Sequence, residues 1–577
     1  MFYKYPGWLI MLVSVACSSG EPAQTEGAGG TGSATGSTGD TSSSSGESPL
    51  DSTTGGEGDE AGTSLDTSSG GPEPSACEPP SGDGVLADAI GFANPARQEF
   101  TAAAVGPYEV LTVLVDVEMT PGCESDEPLP LGFGEGLEME TLHLPQEDGR
   151  NIAVLQYDLS QPYSERPLVA SMIGGVGHQR PAGVAVDADG TVYIAGVFNG
   201  NPVLPANLGE TVGYALSGPA IDAPVDEVHS FVVAYSATGE YLWHVQLGGA
   251  EDSGVRLEAI AVDPQGGLAI AGAAHGEVSY EIGHACEFDS SWSPFVARYP
   301  GGPIPPLGPT WVRCPDSSEE ARALAVDIDE WGHVVATGYF REELTWRDEQ
   351  GEELPDGVVK AAGDQDLFVA RWDEAGNLQW QERCGSAPVQ SSIDQDAGRA
   401  VLAGADGRTF IAGEIGDAGS CLQETAPVYS YHSTALLAAR DPSGWAWERV
   451  VQLDPQAPNT GAVLTALAQD GSGQIVTAGS ARGALAVAET LRGPRGETDG
   501  IVAKFACDGE LAWLHRFGSD ASTGSLLRQV GFHAVAIDEH DAVHLAGAYW
   551  DSFHPKLPLP VNCGVSEADS MRIKLSP

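Results

Sequence analysis

The sequence predicts an all-β protein, a β-propeller of four-stranded antiparallel blades, on three observations. Two short phrases recur along the chain, and each reads as a pair of apolar strands folded about a turn that contains glycine. Their clearest copies are GVAVDADGTVYIAG (Gly183–Gly196) and FVVAYSATGEYLWHVQLGG (Phe231–Gly249). The tryptophans of the second phrase, Trp243, Trp311, Trp380, Trp447 and Trp513, fall about 66 to 69 residues apart, a period that suits four strands per repeat. Helix-period patterning is nearly absent. One such sheet cannot bury both its faces alone, so the copies must stack.

The 577 residues carry a formal charge of −55, with 27 basic against 82 acidic side chains. That balance repels phosphate backbones and argues against a nucleic-acid partner. Residues 1–16 read as a lipoprotein-type signal peptide. Lys4 is followed by an apolar run from Trp8 to Val13 that is too short to span a bilayer. Ser14-Val15-Ala16-Cys17 then resembles a bacterial lipobox, which implies lipidation of Cys17 and contact with a membrane through that anchor only. Ser18 implies the outer membrane. Residues 17–80 are Gly, Ser, Thr, Asp and Glu with almost no large apolar residue, a disordered acidic tether. About 60 residues of this kind span roughly 40 Å.

Residues 81–577 form the expected propeller. The first phrase recurs at Ala259–Gly272, Ala323–Gly338, Ala400–Gly413, Ala466–Gly479 and Ala534–Gly547. The second recurs around Phe295–Cys314, Phe368–Gly385, Leu436–Val451 and Ile501–Gly518. These units resemble the bacterial SBBP β-propeller repeat family, whose pattern joins an apolar-Asp-x-x-Gly-apolar-Gly turn to Phe-Val-Ala-Lys and a Trp. The pattern is broken at Gly404, where the turn Asp is missing, and at Leu436-Leu437. The resemblance implies a propeller fold and an exported location, with no single activity attached.

The chain ends decide the blade count. Residues 151–577 hold the clear repeats, whereas 81–150 read as a degenerate first blade plus a closing strand. Asn151–Asp158 and Pro167–Gly174 resemble third and fourth strands, and Phe100–Ala104 and Glu109–Val117 the first and second. Ser570–Leu575 resembles a third strand with no fourth after it, and Val85–Phe92 can supply that strand. Seven blades closed by an N-terminal strand is therefore preferred. Six blades, with Gly84–Arg150 as a separate cap, is the alternative.

In such a blade the long second-to-third loops, Asn199–His229, Arg341–Gln365 and Tyr549–Ala568 among them, emerge on one face, which is the functional candidate. Eight cysteines beyond Cys17 suggest disulfides in an exported protein. Placing them by face pairs Cys77 with Cys507, Cys123 with Cys563, Cys286 with Cys314 and Cys384 with Cys421. The Asp187-Ala-Asp189-Gly190 turn resembles the start of a calcium loop but lacks its further ligands, and hairpin chemistry explains it. Calcium remains a possible cofactor at the links between blades, where Asp252, Asp316, Asp394, Asp396, Asp454 and Asp520 can ring a channel mouth. The repeated tryptophans suit packing. Tyr280, Trp292, Trp346, Tyr431 and Trp550, in variable loops, are the better candidates for ligand binding. His533, His540 and His544 share one hairpin and are a weak metal signal.

No nucleophile elbow, zinc-protease helix, P-loop or dinucleotide fingerprint occurs. The leading expectation is a lipid-anchored envelope module that binds a protein or glycan through its long-loop face. A polysaccharide hydrolase or lyase and a purely structural envelope protein are the alternatives.

Overall fold

The computed structural model describes residues 84–92, 97–118, 130–132, 141–143, 149–160, 167–210, 212–218, 228–249, 253–279, 285–288, 291–347, 352–385, 396–404, 406–416, 419–422, 433–450, 452–453, 460–487, 490–492, 498–518, 529–550 and 569–577. The chain divides into a body, Met1–Ser18 with Pro74–Pro577, and a separate unit, Ser19–Glu73, which lies outside the described residues. The body is all-β. Its only described helical element is a single 3-10 turn at Pro107–Glu109.

Strands are joined as antiparallel meanders of four. In one of them Gly254–Val262 pairs with Leu268–His275, which pairs with Ser293–Tyr299, which pairs with Trp311–Arg313. The middle strands are covered on both faces, and their sequences show it: all seven residues of Val192–Phe198 are buried. An outer strand such as Tyr241–Gly249 alternates between buried and half-buried positions instead. This is why the first phrase reads as a continuous apolar run and the second as an alternating one.

The first strand of each meander is the one that positions the site. With the two terminal strands these are β1 (Leu86–Phe92), β2 (Arg97–Gly106), β3 (Gln179–Val186), β4 (Gly254–Val262), β5 (Arg322–Ile328), β6 (Ala397–Ala403), β7 (Gly461–Gln469), β8 (Gln529–Ile537) and β9 (Asp569–Leu575). Each of β2 to β7 packs beside the next first strand, and β8 packs beside β2. β1 pairs antiparallel with β9, from Leu86 opposite Leu575 to Phe92 opposite Ser570. The first and last parts of the body thus share one sheet.

The repeated aspartate is a turn residue. Asp187, Asp263, Asp329, Asp470 and Asp538 each accept, at Oδ1, backbone N–H groups two and four residues ahead. Their second oxygens reach across the sheet: Asp263 to Arg298 (3.2 Å), Asp329 to Arg371 (2.6 Å), Asp470 to Lys504 (2.9 Å) and Asp538 to Lys574 (3.4 Å). The Lys or Arg of the second phrase is therefore the counter-ion of the Asp in the first. Two units depart from the rule, each with a substitute. Asp187 takes the Tyr193 hydroxyl at 2.8 Å. Where Gly404 replaces the aspartate, Arg440 turns to Glu382 (3.3 Å) and lies over the Trp380 ring.

The tryptophans latch neighbouring sheets together. Trp243 Nε1 donates to the Gly302 carbonyl, Trp311 to Glu374 and Trp447 to Cys507, each in the third-to-fourth turn of the following unit. Disulfides join Cys286 to Cys314 and Cys384 to Cys421. Cys507 is also disulfide-bonded, to a cysteine outside the described residues. Cys17, Cys77, Cys123 and Cys563 lie outside them too.

Candidate functional site

Loop length pointed to the second-to-third insertions, and the described ones correct that expectation. They are hairpins that lean back onto the preceding unit. Asn201–Pro205 and Gly213–Ala215 extend the strand Val169–Val176, and Glu277–Ser279 with Ala285–Glu287 extends Tyr241–Gly249. Glu343–Arg347 with Glu353–Lys360 pairs with Asp316–Ser317 in the same manner. The physical reason is the outer edge left by strands such as Val169–Val176 and Tyr241–Gly249, whose unpaired backbone groups are satisfied by the next insertion.

The residues singled out for ligand binding fare accordingly. Trp346 is fully buried, edge-on to Phe368 and Trp372, so it is core and cannot stack on a ligand. Trp292 is half-buried, against His275 and with the Arg322 guanidinium over its ring. Tyr280, Tyr431 and the Trp550 side chain lie outside the described residues, as do Asp252, Asp394, Asp454 and Asp520. Asp316 is not at the start of an inner strand: it sits in an outer strand, paired with Arg347 at 2.5 Å. Asp396 is buried and accepts the Gly416 N–H. Both described members of the expected carboxylate ring are thus engaged by protein groups. The three histidines do not share a partner either. His544 bonds Asp538 (2.9 Å), and His540 bonds Glu109 (2.9 Å) in an exposed surface group with Glu539. His533 is buried, which pushes its pKa down.

What the inner strands do bring together is arginine. Every one of β2 to β8 carries a β-bulge at the same place, with the extra residue Thr101, Ala182, Glu258, Leu324, Arg399, Thr465 or His533. A bulge leaves its extra residue without a cross-strand partner and re-aims its side chain. Two residues earlier, on the adjacent strands β3, β4 and β5, stand Arg180, Arg256 and Arg322.

Glu258 is the centre of this group. Its side chain is 1% exposed, yet neither carboxylate oxygen has a hydrogen-bond donor. Arg256 Nε lies 3.3 Å away and Arg322 Nη1 3.8 Å away, as ion pairs. Burial pushes the Glu258 pKa up, and Arg256, Arg322, Arg399 and Arg180 all pull it back. Arg322 also bonds Glu320 (2.7 Å), which accepts the Tyr339 hydroxyl (2.9 Å), and Arg399 bonds Glu414 through Nε (3.1 Å). Arg180 differs from the other three: it makes no ion pair among the described residues, although Asp116 and Glu118 lie near enough to act on it. Its pKa is lowered, chiefly by burial and then by the Arg150 guanidinium beside it.

Next to Arg180, Asp116 is held by Arg150 at 3.0 Å but its pKa is nonetheless pushed up to about 6, chiefly by burial. Folded, Asp116 keeps its proton to a higher pH than it does unfolded. Its contribution to stability is therefore fully present below about pH 4 and is lost as pH rises through about 6, by up to about 3 kcal/mol. Urea unfolding of Asp116→Asn beside the wild type is expected to show the variant gaining on the wild type across that window. A pH-independent difference between the two would contradict it.

The cluster lies at the long-loop end. Arg322 pairs across the sheet with Tyr339, next to the last residue of its strand before the insertion begins. The arginines escape the sequence pattern because they stand one to three residues before the recurring phrases, which begin at Gly183, Ala259, Ala323 and Ala400. The available signal was four arginines at the heads of consecutive repeats in a chain with only 27 basic residues.

No family model and no curated protein matches the chain. Solved structures that resemble it include a single-site variant of the NanB sialidase from Streptococcus pneumoniae, at 11% identity and a TM-score of 0.29, covering 86% of this chain and 71% of that one. A chimera of ACO and RPE65 resembles it at 9% identity and a TM-score of 0.29, covering 77% of this chain and 94% of the other.

Proposed function

We propose that the chain is an exported seven-bladed β-propeller, anchored through a lipidated Cys17 and its acidic tether, that binds an anionic ligand at the long-loop end of its ring of inner strands. Support for seven blades comes from the unbroken succession of packed first strands, β2 to β8 and back to β2, with β1 completing the last sheet on β9. The binding reading rests on one observation. In a protein of net charge −55, Arg256 and Arg322 lie within ion-pair distance of one buried carboxylate on which Arg399 and Arg180 also act, and Arg180 makes no ion pair among the described residues. A guanidinium held among others and partly desolvated is stabilised by an incoming anion.

Calorimetric titration of the mature protein with acidic and neutral oligosaccharides tests this, after mass spectrometry of its N-terminus has identified the modification on Cys17. Acidic oligomers are expected to bind and neutral ones of the same length not to. Arg180→Gln should weaken binding about tenfold or more, or about 1.4 kcal/mol. Binding of neutral oligomers alone, or an Arg180→Gln variant with unchanged affinity, would refute the anion site. Product release from the acidic oligomer would transfer the site to the enzyme reading.

A further inference from the structure

We infer that anion binding at this end of the ring takes up a proton, which Asp116 accepts, so that the site fills as pH falls; the inference rests on the proposed anion site. No guanidinium of the cluster is short of negative charge. Arg256 and Arg322 have Glu258, Arg322 also has Glu320, and Arg399 has Glu414. On the neighbouring sheet Arg150 pairs with Asp116 at 3.0 Å and with Glu118 at 2.7 Å, and both carboxylates act on Arg180. An anion that approaches Arg180 therefore meets two like charges already in place. Either they repel it or one of them is neutralised.

Asp116 is the one placed to take the proton. It stands on the strand Val110–Glu118, opposite Glu99 of β2 on one side and Ile152 of the strand Arg150–Asp158 on the other. Its side chain is 14% exposed; Oδ2 accepts from Arg150, while Oδ1 is buried with no donor among the described residues. Glu118 is 38% exposed and shared between Arg150 and Arg97, so water and two cations keep it ionised. Glu99 is held by Arg97 at 2.6 Å. The charged groups that face Asp116 are therefore Arg97 and Glu99 from β2, Glu118 from its own strand, Arg150 from the next strand and Arg180 from the neighbouring sheet. Burial pushes its pKa up to about 6 against the pull of Arg150 and Arg180. An anion beside Arg180 adds one more like charge and pushes it higher still. Anion and proton then favour each other by the same factor. Glu99 also acts on His533, whose pKa burial pushes down, so that imidazole stays neutral at pH 7.

The probe is trigalacturonate, whose carboxyls titrate at about 3–4, below the range used. It is titrated calorimetrically into the mature protein at pH 5, 6, 7 and 8 and at fixed ionic strength. Affinity is expected to fall about tenfold per pH unit above about 6. At pH 7 the binding heat should depend on the ionisation heat of the buffer, by an amount equal to about one proton taken up, and at pH 5 it should hardly depend on it. Asp116→Asn, which is neutral at every pH, should bind about a hundredfold more tightly than the wild type at pH 8 and take up no proton. Should that variant not fold, the buffer dependence of the wild type decides alone. Equal wild-type affinity at pH 5 and pH 8, or a binding heat at pH 7 that ignores the buffer, overturns the inference and leaves the anion site standing. Proton uptake that persists in a folded Asp116→Asn protein overturns the assignment to Asp116. Failure to bind at all four pH values overturns the anion site and the inference together.

Discussion

Deleting residues 84–92 is expected to cost the body about 6 kcal/mol and to make it self-associate more than the wild type. β1 makes six register pairs with β9, from Leu86 to Phe92, and at a net contribution of about 1 kcal/mol per backbone hydrogen bond the ladder alone supplies that amount. The loss extends past the ladder. Gly84, at a φ of 59°, lies against the Trp513 ring so closely that a Cβ there would come within 2.8 Å of it. This contact stands where the third-to-fourth turn of a following unit meets the other latching tryptophans. Without β1, Trp513 loses its cover and β9 becomes a bare edge. Chemical denaturation and light scattering of the deletion check the result. A protein that unfolds at the wild-type midpoint and associates no more than the wild type would show that β1 is dispensable.

Lys504→Met is expected to destabilise the protein by about 3–5 kcal/mol, because it strands the Asp470 carboxylate inside the sheet. Both side chains are 1% exposed and the ion pair is 2.9 Å long. Asp470 cannot swing out to water, since its other oxygen holds the turn through the N–H groups of Ser472 and Gln474. Removing both charges is a different experiment. Asp470→Asn combined with Lys504→Met keeps an acceptor for the turn and leaves no buried charge, so the double variant should recover most of the loss. Urea unfolding of the two variants side by side measures it. A single variant within 1 kcal/mol of wild type would contradict the role assigned to this pair.

Much of this scaffold is legible in the sequence because it is written in short-range chemistry. The Asp-x-x-Gly turns, the continuous apolar second strands and the alternating fourth strands follow from local geometry and burial. The limits have physical causes as well. Trp346 reads as a loop aromatic until its hairpin is seen to fold back, which buries it on Phe368 and Trp372. Long insertions look like binding loops, but edge satisfaction recruits them. The arginine row is the opposite case. Arg180, Arg256, Arg322 and Arg399 are far apart in the chain, and only a bulge repeated on neighbouring strands gives them a common register. A bulge leaves little trace in composition, so the convergence had to be seen in three dimensions.

The backward-leaning hairpins also impose an order of events. The outer edges at Val169–Val176 and Tyr241–Gly249 are covered only when the insertion of the next unit has emerged, so these units stay provisional until their successors arrive. A chain delivered N-terminus first therefore assembles like overlapping roof tiles, with one open seam advancing along it. β1 is the exception, because its partner comes about 480 residues later. At synthesis rates of roughly 5–20 residues per second, it waits on the order of 25–100 s for β9. The earliest of the described strands to appear is the last to be seated, so beyond the advancing seam a helper that shields exposed edges would hold Leu86–Phe92 for longest.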